Sequence, residues 1–275
     1  MTVEELVRRA LEEDVGERDL TTVATVPADA QARGVLLARQ ALVVSGLDVA
    51  SLVFRAVDER LELRAAVAEG DRVKATATLA VVLGPARGML TAERVALNFL
   101  QRLSGVATTT REFVDAVAGT KARIRDTRKT TPLLRALQKR AVEAGGGVPH
   151  RARLDAGVLV KDNHVRLAGG AGEATRRARA GAEGVLVEVE VERTDQIEEA
   201  LAAGAQMILF DNFTPDEVRA GVRQVAGRAP VEVSGGVTLA TVRAFAEAGA
   251  DYIAVGALTH SAPASDISLE IEPRP

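Results

Sequence analysis

The run VLVEVEVERTDQIEEALAAGAQMILFDNFTPDEVRAGVRQVAGRAPVEVSGGVTLATVRAFAEAGADYIAVGAL (185–258) decides the fold. VLVEVEV (185–191), QMILFDNF (206–213), PVEVSGGV (230–237) and DYIAVGAL (251–258) are short and apolar and read as strands. Between them, TDQIEEALAAGA (194–205), TPDEVRAGVRQVAG (214–227) and TLATVRAFAEAGA (238–250) space their apolar residues as helices do. Thr194 and Thr214 stand at cap positions, and Pro215 follows at a first helical position. The strand centres Leu186, Ile208, Glu232 and Ala254 lie 22, 24 and 22 residues apart. Strands alternating with helices at this spacing are βα units of a parallel sheet, so the chain is α/β. Several such units in succession favour a (β/α) barrel or a doubly wound sheet.

Working outward, TKARIRDTRKT (120–130) and AGVLVKDNHV (156–165) read as two earlier strands, with LLRALQKRAVEAGG (133–146) as the helix between them. The first hundred residues differ. LLARQALVVSGLDVASLVF and GDRVKATATLAVVLGPARGML suggest short strands and turns. TAERVALNFLQRLSGVATTTREFVDAVAG (91–119) is a long helix with Thr91 as its cap and Gly105 as a break, which puts a domain boundary near residue 105.

Composition closes off several function classes. Lys plus Arg is 35 against 38 Asp plus Glu, a formal charge of -3, where nucleic-acid binders show a basic excess. With no Trp, one Tyr and six Phe there is no platform for stacking bases. With no Cys there is no disulfide, thiolate metal site or Cys nucleophile. The apolar runs, such as Val185-Leu186-Val187, are strand-sized, which predicts no membrane span. MTVEELVRRALEED reads as an amphipathic helix with Val3, Leu6, Val7, Ala10 and Leu11 on one side, unlike a signal peptide, so the expected compartment is the cytoplasm.

Chemistry collects at the C-terminal ends of the strands, where α/β folds build their sites. Lys161 and Asp162 follow Val160, Glu188 and Glu190 share one face of their strand, and Asp211 ends the next. Ser234-Gly235-Gly236 and Gly256-Ala257 end the last two strands, where backbone N–H groups of a barrel often hold a phosphate. From Lys121 to Arg166 there are twelve Lys or Arg and four acids, so this segment carries +8 and the rest of the chain -11. Arg135, Lys139 and Arg140 read as a solvated helix face. Arg128, Lys129, His150, Arg151 and Lys161 read as a cluster for a small polyanion, since guanidinium forks match carboxylates and phosphates. Glu190 and Asp211 add acids suited to Mg²⁺ or to ribose hydroxyls.

These segments resemble the quinolinate phosphoribosyltransferase family. The resemblance is carried by DTRKTTPLLRALQKRAVEAGGGVPHR, VLVKDNHV, VEVEVE, FDNFTP, EVSGGV and VGALTHS, and it spans nearly the whole chain from EDVGERDLTT (13–22) to ALTHSAPASDISLEI (257–271). It implies an N-terminal α/β sandwich over residues 1–105, with the tail 265–275 packed on it, and an irregular, open α/β barrel over 106–264. It implies a pentosyltransferase of NAD biosynthesis. Quinolinate would be joined to 5-phosphoribosyl-1-pyrophosphate, releasing pyrophosphate and CO₂ and giving nicotinate mononucleotide, with Mg²⁺ as cofactor. By the same resemblance Thr127, Arg128, His150, Arg151 and Lys161 would hold quinolinate, and Arg94 would enter from the other subunit of a homodimer, or of a hexamer. Lys129, Glu190 and Asp211 would face the donor's ribose, pyrophosphate and metal. Ser234, Gly235, Gly236, Val255, Gly256 and Ala257 would bind its 5-phosphate. Carboxylates beneath the ribose would stabilise the oxocarbenium character that develops at C1, and Lys129 or Lys161 would assist decarboxylation. The chain departs from the family pattern at Arg18, Pro149, Arg153 and Ala156, none of them a proposed ligand.

Three other readings stay open from the residues. One is a barrel aldolase with Lys161 as Schiff-base nucleophile. Another is a phosphate-ligand sensor that uses only SGG and VGA. The third is a relative that acts on nicotinate itself.

Overall fold

The computed structural model describes residues 1–274. The chain opens on helix α1 (Val3–Val15), capped reciprocally: Thr2 Oγ1 accepts from the Glu5 N–H at 3.2 Å, and the Glu5 carboxylate accepts from the Thr2 N–H at 2.8 Å. There follow α2 (Leu20–Thr25), β1 (Gln31–Ala38), β2 (Leu42–Val43), α3 (Leu47–Val57), β3 (Glu62–Ala65), β4 (Arg72–Val73), β5 (Thr78–Pro85) and α4 (Ala86–Ala116). Then come β6 (Arg123–Arg125), α5 (Arg135–Ala144), β7 (Val158–Val160), α6 (Asp162–Ala168), α7 (Ala171–Gly181), β8 (Val187–Val191) and α8 (Asp195–Ala202). The chain ends with β9 (Met207–Asp211), α9 (Pro215–Val225), β10 (Val231–Ser234), α10 (Val242–Glu247), β11 (Tyr252–Ala254), α11 (Ala257–His260) and β12 (Ile267–Arg274).

The chain forms two compact units. The first comprises Met1–Arg111, Thr131–Gly146 and the chain from Ala262 onward. Its antiparallel sheet has the order β12-β1-β5-β3, with β2 and β4 paired beside it. The C-terminal strand β12 thus lies along β1, from Gln31 opposite Arg274 to Ala38 opposite Ile267. Strand β1 alternates buried and exposed residues, as a strand with one covered face must. Two local expectations fail here. The strand-and-turn reading misses α3, whose Val49, Ala50, Val53 and Phe54 are buried at helical spacing. Helix α4 begins at Ala86, before Thr91, and runs on through Gly105. Gly105 is a packing position and not a break: a Cβ there would stand 1.9 Å from the Pro263 carbonyl oxygen.

The second unit comprises Glu112–Thr130 and Gly147–Ser261. Its sheet is wholly parallel, with the order β6-β11-β10-β9-β8-β7. The expected strand regions at 120–130 and 156–165 form its two edges, β6 and β7, so α5 is not a crossover between neighbours. The helix is present, but with Leu137, Ala141 and Val142 buried it belongs to the first unit. This segment, and the switch at 111/112 inside α4, make the observed division differ from boundaries at 105 and 264. The residues KDNHV, read as the end of a strand, instead start α6.

Residues on or just after all six strands line one pocket, so the sheet curls into an open barrel and is not a flat doubly wound sheet. The fold is α/β, as read from the sequence. Every residue of β8 is buried: Val187, Val189 and Val191 lie under α7 and α8, and Glu188 and Glu190 face the interior. The cap read at Thr214 is made, with Pro215 at the first turn and Thr214 Oγ1 accepting from the Glu217 N–H; Thr194 makes no side-chain cap. No helix among the described residues is long and apolar enough to cross a membrane.

Gly105→Ala tests the packing of α4. Alanine favours a helix by about 1 kcal/mol over glycine, but here its methyl must displace a backbone carbonyl, which costs about 1–3 kcal/mol or more. The variant is expected to melt several degrees below the parent in a calorimetric scan. A rise in Tm would contradict this close approach.

Candidate active site

The barrel pocket encloses about 320 Å³. The loop after β6 supplies Asp126, Thr127, Arg128 and Lys129, and the loop before β7 supplies His150 and Arg151. Inward positions of the strands supply Leu159, Glu190, Leu209, Asp211, Glu232, Ser234 and Ala254, and Lys161 follows the end of β7. The alternation of a strand explains the set: Leu209 and Asp211, like Glu232 and Ser234, are two residues apart and share a face.

The cations form one wall. Arg151 donates from Nη1 to the Gly157 carbonyl at 2.7 Å, and its buried Nε has no hydrogen-bond partner. Burial, and then the neighbouring Arg128 charge, push the Arg151 guanidinium below its ordinary range. Two guanidiniums crowded together in a partly dry pocket favour an anion between or beside them. Lys129 is held through its backbone, its N–H donating to Thr127 Oγ1 at 3.0 Å and its carbonyl accepting from Thr259 Oγ1 at 2.8 Å. Lys161 donates from Nζ to Glu190 Oε2 at 2.7 Å. The lysine is about half exposed and the glutamate is buried.

The acids stand opposite. Glu190 and Asp211 lie on the adjacent strands β8 and β9 and both face the pocket. Asp211 Oδ2 accepts from Asn212 Nδ2 at 2.7 Å. Asn212 has a left-handed backbone, with φ 59°. Next to it Gly235 has φ 96°, and a Cβ on Gly235 would stand 2.2 Å from Asn212 Oδ1, so only glycine fits that turn. Two carboxylates on one wall, with hard oxygen donors, fit a Mg²⁺ ion that takes its remaining ligands from substrate phosphates and water.

The floor is ionic as well. Glu188 and Glu232 are buried, and burial pushes each carboxyl up to about 7. Each is also raised by a neighbouring carboxylate, Glu190 for Glu188 and Glu188 for Glu232; Arg125 pulls both back down. Arg125 Nη1 pairs with Glu232 Oε2, and its guanidinium lies 4.5 Å over the Tyr252 ring. His150 Nε2 lies 2.9 Å from Glu188 Oε2 and 3.9 Å from Glu232 Oε1. His150, Glu188 and Glu232 could offer three metal ligands within 4.8 Å of one another. Arg125 acts on both carboxylates and Arg151 on Glu188, and these charges oppose a divalent cation there.

The structure thus brings Thr127, Arg128, Lys129, His150, Arg151, Lys161, Glu190, Asp211 and Ser234 into one pocket. Gly235 and Gly236 sit on the turn after β10, and Gly256 and Ala257 at the start of α11 after β11, all outside its lining. The Val255 side chain is buried in the core, so only its backbone could meet a ligand. Arg94 is exposed on α4, in the first unit, and does not line the pocket. The sequence reading omitted Arg125, Asp126 and Glu232 and noted Glu188 only as a neighbour of Glu190. The available signal was position: an ionisable residue inside a strand buried on both faces must point inward.

Two family models match the chain: quinolinate phosphoribosyl transferase, N-terminal domain, over residues 19–104, and the C-terminal domain of the same family over residues 106–270. The carboxylating nicotinate-nucleotide pyrophosphorylase of Mycobacterium leprae is 45% identical over 271 residues, 96% of this chain and 95% of that one. A mitochondrial decarboxylating quinolinate phosphoribosyltransferase of Nicotiana glauca is 38% identical, over 98% of this chain and 82% of that one. The crystal structure of NadC from Streptococcus pyogenes superposes with a TM-score of 0.96 at 38% identity, covering 99% of this chain and 97% of that one.

The raised carboxyl of Glu232 has a signature in stability. Folded protein keeps a proton there that the unfolded chain loses near the ordinary value of 4.5, so this group's contribution is full below about 4.5 and is lost as pH rises to about 7. In Glu232→Gln the loss is absent. Tm of the variant minus Tm of the parent should therefore rise across that window in scanning calorimetry. A flat difference would show that Glu232 titrates normally.

Proposed function

The chain belongs to the quinolinate phosphoribosyl transferase family, and from that premise we propose that it transfers the phosphoribosyl group of 5-phosphoribosyl-1-pyrophosphate to quinolinate. The products are nicotinate mononucleotide, pyrophosphate and CO₂. The observation that carries the reading is the meeting of a cationic wall with Glu190, Asp211 and Ser234 in one pocket.

Quinolinate carries two adjacent carboxylates. Arg128, Arg151, His150 and Lys161, with Thr127 beside them, would fix both and set the pyridine nitrogen toward the ribose. The C1–pyrophosphate bond breaks, the leaving oxygen takes the electron pair, and positive charge spreads over C1 and the ring oxygen. Glu190 and Asp211 would stabilise that charge, as preorganised carboxylates do at a developing cation. The nitrogen lone pair then bonds C1. The pyridinium so formed draws electrons from C2, so the bond to the C2 carboxylate breaks, CO₂ leaves, and C2 takes a proton. Lys129 or Lys161 would stabilise the electron pair left at C2. The turns at Ser234-Gly235-Gly236 and Val255-Gly256-Ala257 would offer backbone N–H groups to the 5-phosphate. Mg²⁺ bound by Glu190 and Asp211 would supply charge neutralisation for the pyrophosphate.

Arg94 would serve the pocket of the other subunit in a homodimer or hexamer. A cytoplasmic setting, without nucleic acid or membrane as a partner, is part of the same reading. Lys161 is half exposed and ion-paired. A Schiff-base aldolase needs a desolvated lysine. A phosphate sensor would have no use for the acid pair that faces the pocket.

Incubation with quinolinate, the pyrophosphate donor and Mg²⁺ should yield nicotinate mononucleotide, and a chelator should abolish the yield until Mg²⁺ is restored. A folded protein that makes no product would overturn the proposal. Loss of a charged hydrogen bond is worth about 1.5–3 kcal/mol. Arg151→Ala should therefore raise KM for quinolinate roughly 10–100-fold and leave KM for the donor nearly unchanged. Equal rises in both constants would place Arg151 elsewhere.

A further inference from the structure

A parallel barrel normally fills its interior with branched apolar side chains. At the floor of this pocket stand Arg125, Glu188 and Glu232 instead, with Glu188 and Glu232 almost wholly removed from solvent. Buried ion pairs seldom stabilise a fold as well as apolar residues of the same volume. The catalytic roles proposed above use none of the three. We propose that this layer exists to aim His150, and that Glu232, locked by Arg125, is a positioning residue for the acceptor. The inference rests on the reading of the pocket as a quinolinate site.

His150 is held at its backbone and at its ring. Its backbone N–H donates to Asp126 Oδ1 at 2.8 Å, and Asp126 is itself buried. Its Nε2 is directed at Glu188 Oε2, 2.9 Å away, with Glu232 Oε1 at 3.9 Å. Glu232 cannot swing away. Its Oε2 is paired with Arg125, which reaches from β6 past β11 to β10 and rests on Tyr252 and Met207, the latter at 3.7 Å from Nη1 to Sδ. Glu188 Oε1 and Glu232 Oε1 have no hydrogen-bond partner. Their opposite oxygens are the ones engaged, by His150 and Arg125 respectively. The plane in which the ring enters the pocket is therefore set from below, by the carboxylates that face His150 Nε2.

A double-mutant cycle tests this. Quinolinate binding is first measured by calorimetry on the parent protein, and then KM for quinolinate and for the donor is measured in each variant. Glu232→Gln keeps the shape of the side chain and removes its charge. It should raise KM for quinolinate at least tenfold and change KM for the donor less than twofold. In a His150→Ala background, adding Glu232→Gln should change KM for quinolinate less than twofold, because the group through which it acts is gone. Arg125→Lys, which keeps the charge but loses the fork and the ring contact, should shift KM for quinolinate in the same direction. The inference is overturned if Glu232→Gln acts by the same factor with and without His150. It is overturned too if both KM values rise together, as a general loss of structure would cause, or if Glu232→Gln and Arg125→Lys both leave KM for quinolinate unchanged. A parent protein that binds no quinolinate overturns the functional reading itself, a failure distinguished by arising before any variant is compared.

Discussion

A parallel sheet covered by helices leaves an ionisable side chain one place to go, the interior of the curled sheet. This constraint organises the second unit. In β8 the valines lie under helices while Glu188 and Glu190 alternate inward, and β9 and β10 repeat the pattern with Asp211, Glu232 and Ser234. Once inside, each charge needs a partner or a shifted proton affinity. Glu190 takes Lys161, Glu232 takes Arg125, and the Glu188 and Glu232 carboxyls rise toward neutrality. Pocket polarity thus follows from strand parity.

Charge segregation follows from the same arrangement. The whole chain is nearly neutral at -3, yet the segment from Lys121 to Arg166 carries +8. Much of that excess is spent on the surface or in local pairs, as Lys121 with Asp251 or Arg153 with Asp155. At the pocket stand a few cations around Arg128 and Arg151, and the Arg128 charge disfavours that of Arg151. Such crowding favours an anion beside the two guanidiniums.

The parts of the fold written in local pattern were legible in the sequence. The βα rhythm from residue 185, the Thr214 cap and the pocket wall at Arg128, Lys129, His150, Arg151 and Lys161 could all be placed from residue type and spacing. Three features were not legible, each because a distant partner decides it. Gly105 reads as a helix breaker until the Pro263 carbonyl is found against it. Helix α5 reads as a crossover until β6 and β7 are seen at opposite edges of the sheet. Glu232 reads as a strand centre until Arg125, 107 residues away in sequence, reaches it. Arg94 was placed by family resemblance, and α4 carries it outside the barrel unit.

On this reading one wall of the barrel is shaped for two adjacent carboxylates. A crystal structure with quinolinate bound tests it most directly. Quinolinate is expected in the barrel pocket, its carboxylates on Arg128, Arg151, His150 and Lys161 and its nitrogen toward Glu190 and Asp211. Quinolinate bound elsewhere, or with its carboxylates turned away from those four side chains, would contradict it.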